Sequence, residues 1–280
     1  MREIILKQLA PDRPREENIN RLRQFLQIIL LKILYESSAG SALAFTGGTA
    51  LRLLHGLQRF SEDLDFSVVK PKQYSFAPLV ADVERYLEKL TLPVDLKKKS
   101  GKTVHHLYVR FHELLFDAGL SRQRGEKLPI RIEIDTKPPA GWKTEISLLS
   151  DVYTFPMLHF DLPCSFATKL HACLFQRYAK GRDFYDLMWY IGKKVRPNLK
   201  VLNNAIAQTE GKAAKVDGER LKQALLKKLG RLDFGQLQRD VAPFLEHVSE
   251  LALLDKDLAQ KVVRGYEFSP ATRKPVVRRA

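Results

Sequence analysis

Two aspartates, Asp63 and Asp65, stand at the entrance to an apolar stretch, Phe66 to Val69, that predicts a β-strand. Because side chains alternate faces along a strand, both carboxylates point the same way and Leu64 turns toward the core. Two carboxylates a few ångströms apart repel each other unless a cation lies between them. The pair therefore predicts a divalent metal site.

A glycine pair, Gly47 and Gly48, precedes the aspartates and is followed by Thr49 and a short helical pattern that ends at Gly56. Glycine lets a ligand approach the backbone closely, and a helix N-terminus presents N–H groups and a dipole that favour phosphate. We expect the backbone N–H groups of this turn to cradle a triphosphate, with the Thr49 hydroxyl as an additional donor.

The string FTGGTALRLLHGLQRFSEDLDFS at residues 45–67 resembles the AbiEii/MenT-type toxins of the DNA-polymerase-β-like nucleotidyltransferase superfamily. Their pattern is Gly-Ser or Gly-Gly, a spacer, and then Asp-x-Asp. Further motifs match along most of the chain. The resemblance implies transfer of a nucleoside monophosphate from a nucleoside triphosphate (NTP) to an acceptor hydroxyl, with release of pyrophosphate. It also implies two magnesium ions held by Asp63, Asp65 and a third carboxylate.

The third carboxylate is expected in the strand that contains RIEID. Alternation places Glu133 and Asp135 on one face of this strand and the isoleucines on the other. The resemblance implies that Asp135 helps to bind the second metal and lowers the pKa of the attacking hydroxyl. Glu133 remains the competitor for this role.

Arg59 and Ser61 match the R-x-S-x-D-x-D pattern of the resembled toxins. Arg59 could neutralise phosphate charge or form a structural salt bridge, and Ser61 could cap local backbone or contact phosphate. The superfamily often has serine where Gly48 stands. That departure removes one side-chain donor and leaves open whether Thr49 replaces it.

Lys169 resembles the lysine of the family's A-x-K-L helix, which contacts nucleotide phosphate. A following R-x-x-x-x-R-D-x-x-D-L element includes Arg182, Asp183 and Asp186. The resemblance implies nucleotide-binding roles for Lys169, Arg182 and Asp186. Asp183 could instead cap a helix, and Asp186 could orient Lys169 or Arg177. A plain surface lysine is the alternative for Lys169.

The bulk composition predicts an ordinary globular protein. The chain has 280 residues, 45% of them hydrophobic and 28% charged, and it can bury two cores. No apolar run approaches the roughly 20 residues that span a bilayer, and the N-terminus shows no signal-peptide pattern. Cys164 and Cys173 are expected to be reduced core residues of one helix, which suits a cytoplasmic location.

The net charge of +15 favours a polyanionic partner. Residues 156–280 carry 23 basic and 13 acidic side chains, or +10, whereas residues 1–155 carry 24 and 19, or +5. We therefore expect a nucleic-acid partner, and the resemblance implies the 3′ end of tRNA as the acceptor. It also implies a cognate antitoxin protein.

Apolar periodicity predicts the elements that position these side chains. Helices are expected at 16–36, 49–55 and 77–90, and strands at 42–45, 66–69, 94–98, 104–111, 130–136 and 153–160. From residue 162 onward only helical patterns occur, at 165–178, 182–192, 198–209, 217–230, 235–252 and 255–266.

The expected fold class is α+β (α/β). A mixed sheet with flanking helices forms a nucleotidyltransferase-like catalytic domain at 1–160, and a helical domain at 161–268 completes the nucleotide and acceptor cleft. A basic flexible tail is expected at 269–280.

The leading prediction is a magnesium-dependent nucleotidyltransferase. The alternatives are a nucleotidyltransferase that modifies a small molecule or a protein, and a non-catalytic module that binds nucleotide or nucleic acid. The module would be expected to have lost part of the carboxylate set, whereas all three carboxylates are present.

Overall fold

The computed structural model describes residues 2–7, 9–10, 12–213 and 215–269. The chain divides into two compact units. The first unit contains the residues up to 138 together with 143–161 and 238–252; the second contains 139–142, 162–237 and the residues from 253 onward. The sequence placed one boundary near residue 160, whereas in the structure residues 139–142 and 238–252 group with the unit on the other side of it.

A seven-stranded mixed sheet forms the centre of the first unit, in the order β3-β4-β5-β2-β1-β7-β6. Its strands are β1 (Leu43–Thr46), β2 (Asp63–Val68), β3 (Val94–Ser100), β4 (Val104–Phe111), β5 (Leu128–Asp135), β6 (Thr144–Ser150) and β7 (Thr154–Phe160). β2 runs parallel to β5 and antiparallel to β1, and β1 runs parallel to β7. The mixed sheet with flanking helices confirms the predicted fold class.

Period-two alternation decides which face of the sheet joins the core. In β5 the isoleucines at 130, 132 and 134 are buried, while the intervening side chains are half-exposed or exposed. β4 alternates in the same way. One face of these strands is therefore apolar and packed, and the opposite face carries the polar and charged side chains.

Among the described residues, five α-helices lie wholly within the first unit. They are α1 (Arg2–Leu6), α2 (Arg15–Glu36), α3 (Gly47–His55), α4 (Phe76–Lys89) and α5 (Leu114–Asp117). α2 and α4 pack against the apolar face of the sheet and share one hydrophobic core with it. α3 ends at Gly56, whose φ of 73° is the left-handed conformation that favours glycine at a helix C-terminus.

The described residues from 162 onward form helices and no strand, as the sequence predicted. These helices are α6 (Leu162–Phe175), α7 (Gly181–Gly192), α8 (Leu199–Glu210), α9 (Gly218–Leu229), α10 (Phe234–Val241) and α11 (Lys256–Gly265). Cys164 and Cys173 are free, buried thiols within α6, as expected. The rings of Phe166 and Tyr190 stack with centroids 4.4 Å apart, which ties α6 to α7.

Several elements differ from the sequence prediction, which did not include α1 or α5. The helix expected at 235–252 ends at Val241, and 3-10 turns follow at Ala242–Phe244 and Val248–Leu254, because Pro243 cannot continue the helical hydrogen bonds. The strand expected from Phe66 begins at Asp63. β6 was not predicted.

The expected tail lies outside the described residues except for Ser269. No helix among the described residues is long and apolar enough to cross a membrane.

Candidate functional site

The aspartate pair lies on the polar face of β2, at the middle of the sheet. Asp63 and Asp65 are half-exposed and Leu64 between them is fully buried, which confirms the predicted common orientation. β5 lies alongside in parallel register, so that Asp65 stands beside Glu133 and Ser67 beside Asp135. The structure therefore brings the predicted acidic residues to adjacent strands on one face.

Arg131 stands beside Asp63 and was not identified from the sequence. Its Nη2 donates a hydrogen bond to Asp63 Oδ2 at 2.6 Å, and its Nη1 lies 3.6 Å from Glu133 Oε2. Burial acts to lower the pKa of Arg131, but the hydrogen bond to Asp63 and the neighbouring carboxylates outweigh it and raise the pKa. A protein cation thus occupies one side of the acidic face.

Asp135, like Glu133, is half-buried on the polar face of β5. Burial raises its pKa above the ordinary value; the Lys137 backbone N–H, at 2.8 Å, opposes the shift, and the charge of Glu133 adds to it. Glu133 itself has His106 Nδ1 at 3.5 Å. A cation close to Asp135 would stabilise its ionised form.

The carboxylates do not surround one point in this arrangement. Among the described residues, no group of three or more His, Cys, Asp or Glu side chains is disposed to hold a metal ion. The donors are nevertheless of the type that magnesium takes, namely carboxylate oxygens, and both aspartates of the pair are partly open to solvent. The three-carboxylate metal set stays a prediction.

The glycine turn lies directly against Asp65. Gly47 is the first residue of α3 and has a φ of 76°, a conformation that disfavours any other residue. A Cβ at this position would overlap the Asp65 carboxylate. Two constraints therefore require glycine at 47, and the N-terminus of α3 sits against one member of the aspartate pair.

The second glycine of the turn leaves room for two polar side chains. A Cβ on Gly48 would come 2.6 Å from Arg59 Nη2 and 3.0 Å from Ser61 Oγ. Arg59 is only 2% exposed, and its Nη1 donates to the Phe60 carbonyl at 2.9 Å. A serine at 48 would therefore require this buried guanidinium to shift.

Thr49 is held within the fold. Its side chain is 1% exposed, and its hydroxyl donates to the backbone carbonyl of Asp63 at 2.5 Å. This bond ties α3 to the first residue of β2. The Thr49 hydroxyl therefore positions the aspartate strand, and its predicted donation to phosphate would require this bond to be shared or broken.

The second unit contains a buried ionic cluster of three predicted residues. Lys169 Nζ on α6 lies 2.7 Å from Asp183 Oδ1 and 2.9 Å from Asp186 Oδ2, both on α7. Asp186 is completely buried and Asp183 nearly so. Both aspartates therefore lie within ion-pair distance of Lys169, and their role in orienting it stays a prediction. Arg182 is half-buried in the first turn of α7.

The sequence model of a family described as nucleotidyl transferase AbiEii toxin, type IV toxin–antitoxin system, matches residues 29–262. The chain belongs to this family. AbiEii membership makes it a nucleotidyltransferase toxin, as the Asp-x-Asp motif and the glycine turn led us to expect. No curated protein sequence matches it.

The AbiEii chain also resembles two crystal structures from Helicobacter pylori. The first, JHP933, superposes with a TM-score of 0.51 at 19% identity, over 88% of this chain and 92% of that one. The second is described as a candidate nucleotidyltransferase and gives a TM-score of 0.47 at 20% identity, over 91% and 96% of the two chains. The likeness to JHP933 supports the fold.

Sequence reasoning missed Arg131 and the polar side chains of β4. A signal for them was available, because Arg131 is two residues before Glu133 and alternation places both on the same face. His105 and His106 face opposite sides of the sheet, since His106 stands opposite Glu133 and His105 opposite Ile134.

Proposed function

We propose that this AbiEii toxin transfers a nucleoside monophosphate from an NTP to an acceptor hydroxyl, depends on magnesium and releases pyrophosphate. The acceptor is the 3′ end of tRNA. The observation that carries the proposal is the packing of Asp65 against Gly47, because it puts a carboxylate, the ligand type that magnesium prefers, beside a helix N-terminus of the kind that binds phosphate.

The acidic face has the chemistry that a magnesium nucleotide requires. Asp63 and Asp65 would hold the metal, with Asp135 or Glu133 as the third ligand. Magnesium at such a site neutralises charge on the phosphates and favours the ionised form of the attacking hydroxyl. Arg131 now neutralises Asp63, so metal binding there requires this ion pair to be exchanged.

The glycine turn would bind the phosphates through backbone N–H groups at the N-terminus of α3. Gly47 and Gly48 keep this backbone free of side chains. Arg59 and Ser61 would act beneath the turn by supporting Gly48, with Ser61 Oγ the more accessible of the two side chains. Lys169, Arg182 and Asp186 are proposed to contribute to nucleotide binding, with Asp186 acting through Lys169.

The acceptor is inferred from charge and from the family. The net charge of +15 suits a polyanionic substrate, and a small-molecule acceptor would need only a compact pocket. A toxin of a toxin–antitoxin system implies an antitoxin, so we also propose a cognate protein that neutralises this chain.

Label transfer tests the proposal. Purified protein is incubated with magnesium, total tRNA and each of the four α-labelled NTPs, beside the Asp65→Ala variant. We expect label on tRNA with one nucleotide, none without magnesium, and none with the variant. Label on protein or on a small molecule would keep the reaction and overturn the acceptor. No label on any acceptor would overturn the proposal.

A further inference from the structure

Two rows of side chains cross the polar face of the sheet and end at the aspartate pair. Antiparallel and parallel register place Lys99 opposite His106, His106 opposite Glu133, and Glu133 beside Asp65. In the neighbouring row, Lys97 stands opposite Tyr108, Tyr108 opposite Arg131, and Arg131 beside Asp63. Each aspartate of the motif therefore lies in a row that begins on the edge strand β3.

The outer end of these rows is basic. Lys97 and Lys99 are exposed and Arg110 is half-exposed. None of the three forms an ion pair with a side chain in the part of the chain that the structure describes. The one carboxylate on this face of β3, Asp95, is already paired with Lys127 and with His112, whose Nε2 lies 3.0 Å away. The cations are left to attract an external anion.

Aromatic rings lie between the basic edge and the carboxylates. The half-exposed rings of His106 and Tyr108 stack side by side on β4, with centroids 6.1 Å apart and planes 25° from parallel. Basic side chains that follow a backbone, next to aromatic rings on which bases stack, are the combination that binds single-stranded nucleic acid without sequence preference.

The spacing suits an acceptor whose end reaches the metal site. Strands in a sheet lie about 4.8 Å apart, so β3 is about 14 Å from β2 across the face. A single strand of a few nucleotides could span this distance with its phosphates at the lysines and its terminal hydroxyl at the aspartates. A small-molecule acceptor would have no use for cations so far from the carboxylates.

We propose that the polar face of β3 and β4 binds the single-stranded 3′ end of the nucleic-acid acceptor, with Lys97 and Lys99 at its phosphates and Tyr108 beneath a base. This surface, defined by Lys97, Lys99, Tyr108 and Arg110, is the acceptor platform. The inference rests on the proposed function, since it names the surface that presents the acceptor to that site.

Binding is measured first, without NTP or magnesium, so that it does not depend on catalysis. The probe is a 5′-fluorescein single-stranded RNA of about ten nucleotides, within the range that single-strand binding folds cover. Fluorescence anisotropy is recorded over a series of salt concentrations. The test variant is Lys97→Glu with Lys99→Glu; the matched control is Lys98→Glu with Lys102→Glu, which makes the same charge change in the same hairpin.

Loss of two phosphate contacts should reduce the slope of log affinity against log salt by about 1.4, at about 0.7 for each contact in a single strand. The control should leave this slope close to wild type. Tyr108→Ala should weaken binding about 5- to 100-fold by loss of stacking, and Tyr108→Phe should restore it. Equal slopes for the two double variants, or tight binding by Tyr108→Ala, would overturn the platform.

The transfer reaction separates failure of the platform from failure of the proposed function. If the platform binds the acceptor, Lys97→Glu with Lys99→Glu raises the acceptor KM and leaves kcat at saturating acceptor unchanged. Transfer to tRNA with identical KM in both double variants would keep the function and overturn the platform. If label goes to a protein or small molecule and the wild-type protein does not bind the RNA, both the platform and the proposal of a nucleic-acid acceptor are wrong.

Discussion

Each unit of the molecule contains a contact between a cation and carboxylates, and the two contacts differ in exposure more than in distance. In the first unit, Arg131 and Asp63 meet at 2.6 Å with 37% and 29% of their side chains exposed. In the second, Lys169 lies 2.7 and 2.9 Å from Asp183 and Asp186, with exposed fractions of 15%, 11% and 0%. The two contacts therefore have similar N···O distances, but the difference in exposure gives them different contributions to stability.

Solvent decides what each contact can do. A half-exposed ion pair contributes about 0–1 kcal/mol to the free energy of unfolding, because water can solvate either charged group in place of its partner. A buried pair contributes little as a pair, but removal of one partner leaves a desolvated charge and costs about 3–5 kcal/mol. The first contact can therefore be given up at small cost, as the proposed metal binding requires, whereas the second is costly to break.

The largest expected effect is the loss of transfer in Asp65→Asn. The amide keeps the shape of the side chain but removes the negative charge that a metal requires, so the rate should fall by at least about 10²–10³-fold, the scale for loss of one electrostatic group at a reaction centre. The midpoint of urea unfolding should change little, because Asp65 is half-exposed. A variant with the wild-type rate would remove Asp65 from the metal site.

Asp186→Ala should destabilise the protein by up to about 3–5 kcal/mol, because it removes a fully buried carboxylate from beside the Lys169 ammonium. Urea unfolding measures the change. The matched control in the same unit is Glu219→Ala, which removes an exposed carboxylate paired with Lys222 at 3.6 Å and should cost at most about 1 kcal/mol. Equal losses in the two variants would contradict the distinction between buried and exposed contacts.

Alternation of side chains along single strands was sufficient to predict the acidic face, but it did not predict the contacts that the acidic residues make with other strands. Alternation along single strands placed Asp63 with Asp65 and Glu133 with Asp135. The pairing of β2 with β5 depends on the whole sheet, so the contact of Arg131 with Asp63 could not be derived from either strand alone. Burial of Arg59 is likewise a tertiary property, because the space it fills is made by Gly48.

In the helical unit too, the sequence did not show which side chains of different elements are in contact. Asp183 and Asp186 fall three residues apart on one face, which left their roles open between capping and orienting a lysine. Only the packing of α6 against α7 brings both to Lys169. β6 was missed because its outward face carries Ile146 and Leu148, 71% and 70% exposed, so hydrophobicity does not alternate as it does in a strand with one polar face.

A third contact, between two histidines, extends the comparison because its members would repel each other when both are charged. The rings of His55 and His159 meet edge to face with centroids 5.3 Å apart. Burial, and then the charge of His159, lowers the pKa of His55 to about 4. The unfolded chain therefore binds a proton more readily than the folded one between about pH 4 and 6.5.

Stability should accordingly fall as the pH is lowered from about 6.5 to about 4, and His55→Gln should reduce this dependence. The full shift corresponds to about 3 kcal/mol, which partial exposure of His55 reduces to about 1–2 kcal/mol. Urea unfolding at pH 4, 5, 6 and 7 measures it. His105 and His171, whose pKa values burial also lowers, leave a residual slope in the variant. Identical pH profiles for wild type and variant would show that His55 titrates normally.

Arg131→Gln should change the free energy of unfolding by at most about 1 kcal/mol, because its ion pair with Asp63 is half-exposed. The same substitution removes a positive charge from beside the aspartates, and one unit charge at about 4 Å in water is worth about 1 kcal/mol. The magnesium concentration for half-maximal transfer should therefore fall several-fold. A rise in that concentration would mean that Arg131 holds Asp63 in the orientation that the metal needs, and the first contact would then be as fixed as the second.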